Sequence, residues 1–216
     1  MMNNIYVAII ADIVDSKNLQ NRKQVQNQLK QVLEKINFIY KKSLAAKFQI
    51  SLGDEFQGLV QDKKKVIEII QMIELDMHPV KIRFGIGVGK ILTDIDFDRT
   101  LEIDGPAYHR ARNMINAIED NENQYEGIYS NIMIDSGKEN VTIDTLMNTI
   151  FSLRSIIKEK WTNRQVEIIR MYMNCEENQY KTAEALHIGQ PAISKCLNKT
   201  NYYSFKSAGD TIKAVI

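Results

Sequence analysis

The chain has 216 residues, 44% of them hydrophobic and 25% charged, which is an ordinary globular composition and excludes disordered and fibrous classes. Its 28 Lys and Arg against 27 Asp and Glu give a net charge of +1, which as a whole-chain figure indicates no partner. No apolar run is long enough to span a bilayer, no signal peptide is recognisable, and two cysteines are too few for a disulfide framework or a zinc site. We therefore expect a cytoplasmic protein with no membrane partner.

The charge is unevenly distributed along the chain. From Arg154 onward there are 10 Lys and Arg against 6 Asp and Glu, so this tail carries a net +4 and the preceding residues a net −3. A slightly acidic body with a basic tail is typical of a sensor or enzyme joined to a nucleic-acid-binding unit. Chance clustering of charges on helices explains the same asymmetry equally well, so motifs must decide.

The hydrophobic pattern predicts alternating strands and helices. An apolar run from Ile5 to Val14 predicts a strand covered on both faces, and spacings of three and four predict a helix from Arg22 to Lys42. The same criteria predict further strands at 47–52, 56–60, 82–88 and 128–134, and helices at 63–77, 106–119 and 144–160. This order predicts an α+β fold, a split βαβ, ferredoxin-like antiparallel sheet with its helices on one face.

Two carboxylates in this predicted sheet are candidates for a metal site. Asp12 lies near the end of the first strand and Asp54 in the turn of the central hairpin, and these strands are neighbours in a split βαβ sheet. Carboxylates at one edge suit Mg²⁺, or Mn²⁺, bridging to substrate phosphates, with the backbone carbonyl of Ile13 as a further ligand. Ser16 and Lys17 lead to the first helix, whose N–H groups could hold phosphates. The alternative is that Asp12 caps a turn and Asp54 is an ordinary hairpin residue.

Four motifs resemble those of class III nucleotidyl cyclases. In chain order they are Ala-Asp-Ile-Val-Asp-Ser at 11–16, Leu-Gly-Asp-Glu-Phe at 52–56, Arg-Phe-Gly-Ile-Gly-Val-Gly at 83–89 and Gly-Pro-Ala-Tyr-His-Arg-Ala at 105–111. The second is also similar to the GGDEF signature of diguanylate cyclases. Including its tail, the chain most resembles the SatD family, bacterial proteins with a cyclase-like palm and a helix-turn-helix.

The resemblance implies a palm domain over residues 1–150 that binds a nucleotide and Mg²⁺. It implies nucleotide contacts from Gly53 in the hairpin and from His109 and Arg112 on the predicted helix at 106–119, in addition to Ser16 and Lys17. His109 stands where the cyclases carry a transition-state Asn, and Arg112 is one position early for their Arg. Because of these departures, metal and triphosphate binding fit the comparison better than cyclisation does.

The tail pattern predicts a helix-turn-helix domain over residues 151–216. Ala183 supplies the small residue where two helices cross, Ile188 fills the turn, and Ile193 lies on the inner face of the second helix. Pro191 suits the first turn of that helix. His187 replaces the usual turn glycine, which is tolerable because His is enriched at positive φ.

The string from Gln190 to Lys195 resembles the recognition helices of bacterial repressors, which implies a helix in the major groove. Gln and Asn side chains there suit adenine edges. The candidate DNA-binding residues are Lys181, Gln190, Pro191, Ser194, Lys195, Asn198 and Lys199. The alternative for the tail is a plain helical bundle used for protein contact.

Together these observations predict a DNA-binding transcriptional regulator whose palm binds a nucleotide and Mg²⁺. A homodimer is expected, because palms of this resemblance commonly pair and helix-turn-helix proteins usually bind two half-sites. Two alternatives remain open at this stage. One is a cyclase or nucleotidyltransferase that the tail tethers to DNA, and the other is a palm without chemistry that serves only for dimerisation.

Overall fold

The computed structural model describes residues 4–51, 53–124 and 130–216. The strands are β1 (Tyr6–Ile13), β2 (Leu44–Ile50), β3 (Glu55–Val60), β4 (Ile82–Gly89) and β5 (Ile132–Asp135). The α-helices are α1 (Arg22–Ile39), α2 (Val66–Met77), α3 (Pro106–Gln124), α4 (Val141–Glu159), α5 (Asn163–Asn174), α6 (Gln179–Ala185), α7 (Gln190–Lys199) and α8 (Tyr202–Val215). Leu52 of the hairpin motif and residues 128–129 of the predicted last strand lie outside the described residues. No helix in the described ranges has both the length and the apolar character that crossing a membrane requires.

The five strands form one sheet in the order β2-β3-β1-β4-β5. β1 lies at the centre and is antiparallel to β3 and β4, as the split βαβ arrangement predicts. β5 pairs parallel to β4, so the sheet is mixed and the prediction of a purely antiparallel sheet is wrong at this edge. The physical reason is α3, a crossover helix that returns the chain to start β5 in the same direction as β4.

Helices cover both faces of the sheet. Val7 and Ile9 of β1 belong to the main core with α1, α2 and α4, whereas Ala8 and Ile10 pack under α3 on the other face. The prediction that the helices lie on one face is therefore wrong. A central strand that is apolar on both sides must be covered on both sides, and α3 provides the second layer.

Glycines on β4 let α3 approach the sheet closely. A Cβ atom added to Gly87 would lie 2.0 Å from the backbone oxygen of Ala107, and one added to Gly85 would lie 2.1 Å from that of Ala111. Real Cβ atoms do not approach backbone oxygens this closely, so α3 rests directly on the backbone of β4. This contact fixes the distance between α3 and the sheet, including the end of the sheet where β1, β3 and β4 carry charged residues.

The tail helices α5 to α8 surround a second apolar cluster. It includes Trp161, Ile169, Leu197 and Tyr202, and Leu75 joins it from α2. α8 then continues past this cluster and inserts Ile212 into the main core. The tail is thus packed against the sheet-bearing part of the chain, and the predicted division after residue 150 falls within α4.

Candidate functional site

A row of charged residues crosses the sheet beneath α3. Asp12 on β1 is the register partner of Glu55 on β3 and of Arg83 on β4. Because side chains alternate along a strand, Asp12 lies on the same face as Ala8 and Ile10, which is the face that α3 covers. Strand pairing alone therefore brings two carboxylates and one guanidinium together.

Arg83 is the cationic centre of this row. Its Nη1 donates to Asp12 Oδ2 at 2.8 Å and to Glu119 Oε1 at 3.2 Å. Its Nε and Nη2 donate to Glu122 Oε2 at 2.9 and 2.7 Å. Only 13% of the Arg83 side chain is exposed, so one largely buried cation balances three carboxylates.

Asp12 is incompletely neutralised. Its Oδ1 is buried and has no hydrogen-bond partner, although Oδ2 is held by Arg83. Burial raises the pKa of Asp12, and the charges of Glu119 and Asp54 raise it further, while Arg83 opposes the shift. A buried acceptor atom without a donor is unfavourable, and a cation supplied from outside would satisfy it.

The hairpin tip that carries Asp54 contacts the start of α1. Gly53 has φ +64°, and its carbonyl accepts a hydrogen bond from Gln26 Nε2 at 3.1 Å. A Cβ atom on Gly53 would lie 3.4 Å from Arg22 Nη2, so the tip also lies beside a cation. Asp54 is close enough for its charge to raise the pKa of Asp12.

Arg112 reaches from α3 to the start of the hairpin's second strand. Its guanidinium makes a bidentate ion pair with Glu55, with Nη2 donating to Oε1 at 2.8 Å. These hydrogen bonds, with one from Ser51, hold the pKa of Glu55 below its usual range. His109 lies one turn earlier on α3 and instead pairs with Asp104 at 2.9 Å, where both side chains are exposed.

The other predicted residues near Asp12 differ in accessibility. Ser16 is buried in the short 3₁₀ turn Ser16–Asn18 that follows β1, whereas Lys17 is exposed. The side chain of Ile13 belongs to the main core on the opposite face from Asp12, so only its backbone carbonyl is a candidate ligand.

The carboxylates at this end of the sheet fit a magnesium ion only where other ligands complete its coordination shell. Within residues 4–51, 53–124 and 130–216, no three His, Cys, Asp or Glu side chains form a group able to hold a metal by themselves. Mg²⁺ commonly takes only one or two protein carboxylates and completes its shell with water and phosphate oxygens. Asp12, with its unpartnered Oδ1, and Asp54 are two such carboxylates.

Sequence reasoning missed the carboxylates that hold Arg83. The sequence motifs assign no function to Glu119 or Glu122, and they include Arg83 only as part of a strand motif. Two signals could have found them. Arg83 is the only charged residue from Ile82 to Gly89, and Glu119 and Glu122 are three residues apart on one helix face.

In the tail, α6 and α7 are joined by the four residues 186–189. Ala183 of α6 and Ile193 and Leu197 of α7 are buried where the helices meet. His187 has φ 53°, in the left-handed region that the sequence predicts for it. Pro191 lies in the first turn of α7, where its missing N–H leaves no backbone hydrogen bond unmade.

The outer face of α7 is polar and cationic. Pro191, Lys195, Asn198 and Lys199 are exposed and Ser194 is half-buried. Asn198 Nδ2 donates to the Ser194 carbonyl at 2.9 Å. Among the ion pairs of the described residues, none involves Lys195 or Lys199, so both charges face solvent.

The two remaining predicted DNA contacts are held by neighbours in the tail. Gln190 Nε2 donates to Gln179 Oε1 at 2.6 Å, which links the starts of α7 and α6. Lys181 pairs with Glu176 at 2.9 Å, and both side chains are exposed. Binding of another ligand by these two residues would therefore exchange existing contacts.

The chain was compared with solved structures, and those found include nucleotidyl cyclases. A bacterial light-regulated adenylyl cyclase is 12% identical with a TM-score of 0.46, covering 66% of this chain and 81% of its own. A dimeric guanylyl cyclase domain from the fungus Blastocladiella emersonii is 16% identical with a TM-score of 0.38, covering 52% and 74%. The adenylyl cyclase CyaB from P. aeruginosa is 16% identical with a TM-score of 0.35, covering 52% and 71%.

The sequence comparison is more specific. The profile of the SatD family matches residues 6–207, so the chain belongs to the SatD family, as its motifs predict. No curated protein sequence matches it.

Proposed function

We propose that this protein is a DNA-binding transcriptional regulator that acts as a homodimer. A palm, over about residues 1–150, binds a nucleotide together with Mg²⁺ or Mn²⁺, and a helix-turn-helix tail, over about residues 151–216, binds DNA. The buried, unpartnered Oδ1 of Asp12 supports the first part, and the unpaired lysines of α7 support the second.

In the palm, Asp12 and Asp54 would hold the ion. The bound ion would neutralise phosphate charge and so let a triphosphate approach the acidic end of the sheet. The protein's own cations beside this end include the exposed Lys17, the half-exposed Arg112 and Arg22 at the hairpin tip. Arg112 already pairs with Glu55, so contact with a phosphate would exchange that ion pair for another.

We expect Asp12→Asn and Asp54→Asn each to weaken metal-dependent nucleotide binding by at least about tenfold, or about 1.4 kcal/mol. Each change removes one negative charge facing the ion while keeping the side chain's size. Titration calorimetry with ATP, GTP, CTP and UTP, with and without Mg²⁺ or Mn²⁺, measures the effect. Glu139→Gln is the matched control, because Glu139 is an exposed carboxylate beyond the far edge of the sheet.

Two results of this titration would contradict the proposal, and chromatography of the same samples adds a third result. Wild-type protein that binds none of the nucleotides contradicts the palm proposal, and so does unchanged binding in both aspartate variants. Chromatography of the same mixtures detects any new nucleotide, and its appearance would favour an enzyme over a regulator.

In the tail, α7 offers the surface that DNA reading requires. Its polar side chains can reach base edges, and its two solvent-facing lysines can contact phosphates. The inner face is fixed by the buried Ile193 and Leu197, so the outer face keeps one orientation. α7 is short, follows α6 after a tight turn and is held by its buried face, and a helix in this arrangement can enter a major groove.

Ser194→Ala and Lys199→Ala are expected to weaken DNA binding in different ways. Loss of the Ser194 hydroxyl should reduce the binding free energy by about 1 to 3 kcal/mol for the preferred DNA sequence and by little for other sequences. Loss of Lys199 should weaken all duplexes similarly and reduce the salt slope by about one. Fluorescence anisotropy of full-length protein, on duplexes selected from a random pool and on scrambled duplexes, measures both quantities at several salt concentrations.

Lys30→Ala is the control for lost charge, since Lys30 is an exposed lysine on α1 far along the chain from the tail. It should change neither sequence preference nor salt slope. Full-length protein with no salt-dependent affinity for any duplex contradicts the DNA proposal. Equal losses on selected and scrambled duplexes for Ser194→Ala would mean that α7 does not read sequence.

A further inference from the structure

The outward face of α4 is apolar and carries no charge. Ile143, Leu146, Leu153 and Ile156 are 43%, 61%, 57% and 44% exposed. The only charged residues between positions 141 and 157 are Asp144 and Arg154, and both are buried on the inner side. A helix whose outer face meets water usually carries charged and polar residues there. Over about four and a half turns, α4 does not.

The apolar residues follow a coiled-coil spacing. Ile143, Leu146, Ile150 and Leu153 are separated by three, four and three residues, with the β-branched Ile and the Leu alternating. Ile150 is partly buried against the main core, and it therefore connects this face to the palm interior. The four residues form a seam of the kind that packs against a second helix.

Two polar residues within this face are already hydrogen-bonded inside the helix. Thr145 Oγ1 donates to the Val141 carbonyl at 2.8 Å, and Thr149 Oγ1 donates to the Thr145 carbonyl at 2.9 Å. Covering these threonines would therefore leave no hydroxyl donor unpaired, which removes the usual cost of burying a polar side chain.

We propose that this face of α4 pairs with the same face of a second copy of the chain. The proposal rests on the homodimer part of the proposed function and is independent of nucleotide and DNA binding. In a two-fold dimer the same patch meets itself, which an uncharged aliphatic seam tolerates in either helix direction. Parallel pairing places Leu146 against Leu146, and antiparallel pairing about the middle of the seam places it against Ile150, one turn from Leu153.

A second copy fits this surface better than a partner of different chemistry. The seam has no charged residue that would select an acidic or basic partner, and a net charge of +1 gives two copies little mutual repulsion. A helix of 19 residues is about 28 Å long, so pairing along it buries on the order of 1,000 Å² in total. That area is at the low end for specific complexes, so we expect a dimer that dissociates in the micromolar range.

The test is sedimentation velocity on full-length protein from about 1 to 100 μM, the range in which a small interface should dissociate. Wild type should pass from a monomer of 24.9 kDa to a species of twice that mass. Leu146→Glu and Leu153→Glu should remain monomeric throughout, because each places charge in the seam. Leu92→Glu is the control and should dimerise normally, since Leu92 is 74% exposed but lies outside α4.

Misfolding is excluded in two ways. Thermal unfolding of the glutamate variants should match wild type closely, because the replaced side chains face solvent. Mixing a Leu146→Glu, Leu153→Glu double variant with a Leu146→Lys, Leu153→Lys double variant should restore a dimer, whichever way the helices run.

The two ways of failing are distinguishable. A wild-type chain that is monomeric at every concentration contradicts both the homodimer and this surface. A dimer that persists in both glutamate variants leaves the homodimer intact and shows that its interface lies elsewhere on the chain.

Discussion

Replacing Arg83 with methionine is expected to lower the free energy of unfolding by about 3 kcal/mol at pH 7.5. Arg83 is largely buried and pairs with Asp12, Glu119 and Glu122, so its loss leaves three carboxylates between β1 and α3 without the cation that joins them. Methionine fills similar space, which separates the loss of charge from the loss of packing. Urea unfolding followed by circular dichroism measures the change.

The same variant should be less destabilised in acid. Burial already raises the pKa of Asp12, and Arg83 opposes that shift, so removing Arg83 raises this pKa further. A carboxyl whose pKa is higher in the folded than in the unfolded state favours folding at low pH and loses that contribution as the pH rises through its folded pKa. The difference in free energy of unfolding between wild type and Arg83→Met should therefore become smaller as the pH falls from 7.5 to 5.

Two further variants make this prediction specific. Arg99→Met removes an exposed arginine that pairs with two exposed carboxylates, and it should cost less than about 0.5 kcal/mol. Adding Asp12→Asn to Arg83→Met should recover part of the stability, because one of the uncompensated charges is gone. A deficit that is the same at every pH would contradict the electrostatic explanation.

Gly87→Ala is expected to cost at least about 3 kcal/mol, at the upper end for inserting one methyl group into a packed interior. The new Cβ would lie 2.0 Å from the Ala107 carbonyl oxygen and 2.5 Å from the Ala111 nitrogen. Both are backbone atoms of α3, so no side-chain rotation relieves the overlap and the helix itself must move. Thermal unfolding should show the loss.

Gly189→Ala is the matched control for this change. A Cβ on Gly189 would have its nearest neighbour at 3.5 Å, an ordinary contact distance, and the backbone there is not left-handed. Because glycine is preferred over alanine at a helix N-cap, it should cost about 1 kcal/mol, well below the cost expected for Gly87→Ala. If both alanine variants unfold at the same temperature, α3 does not depend on the glycines of β4.

Periodicity predicted most of the sheet but not how it is covered. The apolar run of β1 indicates burial on both faces, yet helical spacing does not say on which face a helix packs, and α3 lies opposite α1 and α2. α8 was missed as a helix, because its apolar residues are sparse and Gly209 interrupts them. Gly209 leaves room for the Arg154 side chain, since a Cβ there would lie 2.8 Å from Arg154 Nη1, a contact made only in the folded chain.

The candidate site was predicted in part for a similar reason. Placing Asp12 and Asp54 on neighbouring strands needs only the strand order, which the sequence pattern indicates. Pairing Asp12 with Arg83 needs the register of β1 on β4, and a shift of one residue would turn every side chain to the other face. The contact between His109 and Asp104 depends on the path of the loop before α3, for which no pattern exists.

The path of α8 limits which segments of this protein can be truncated or replaced. Tyr202 and Phe205 complete the tail cluster, and Ile212, two turns further on, fills the main core. Chain segments near a terminus are usually the safest to trim or replace, but a chain shortened before Ile212 would open a hole beneath the sheet. The tail is therefore not an interchangeable module, and a variant designed to change the proposed DNA specificity should alter the outer face of α7 and keep α8 whole.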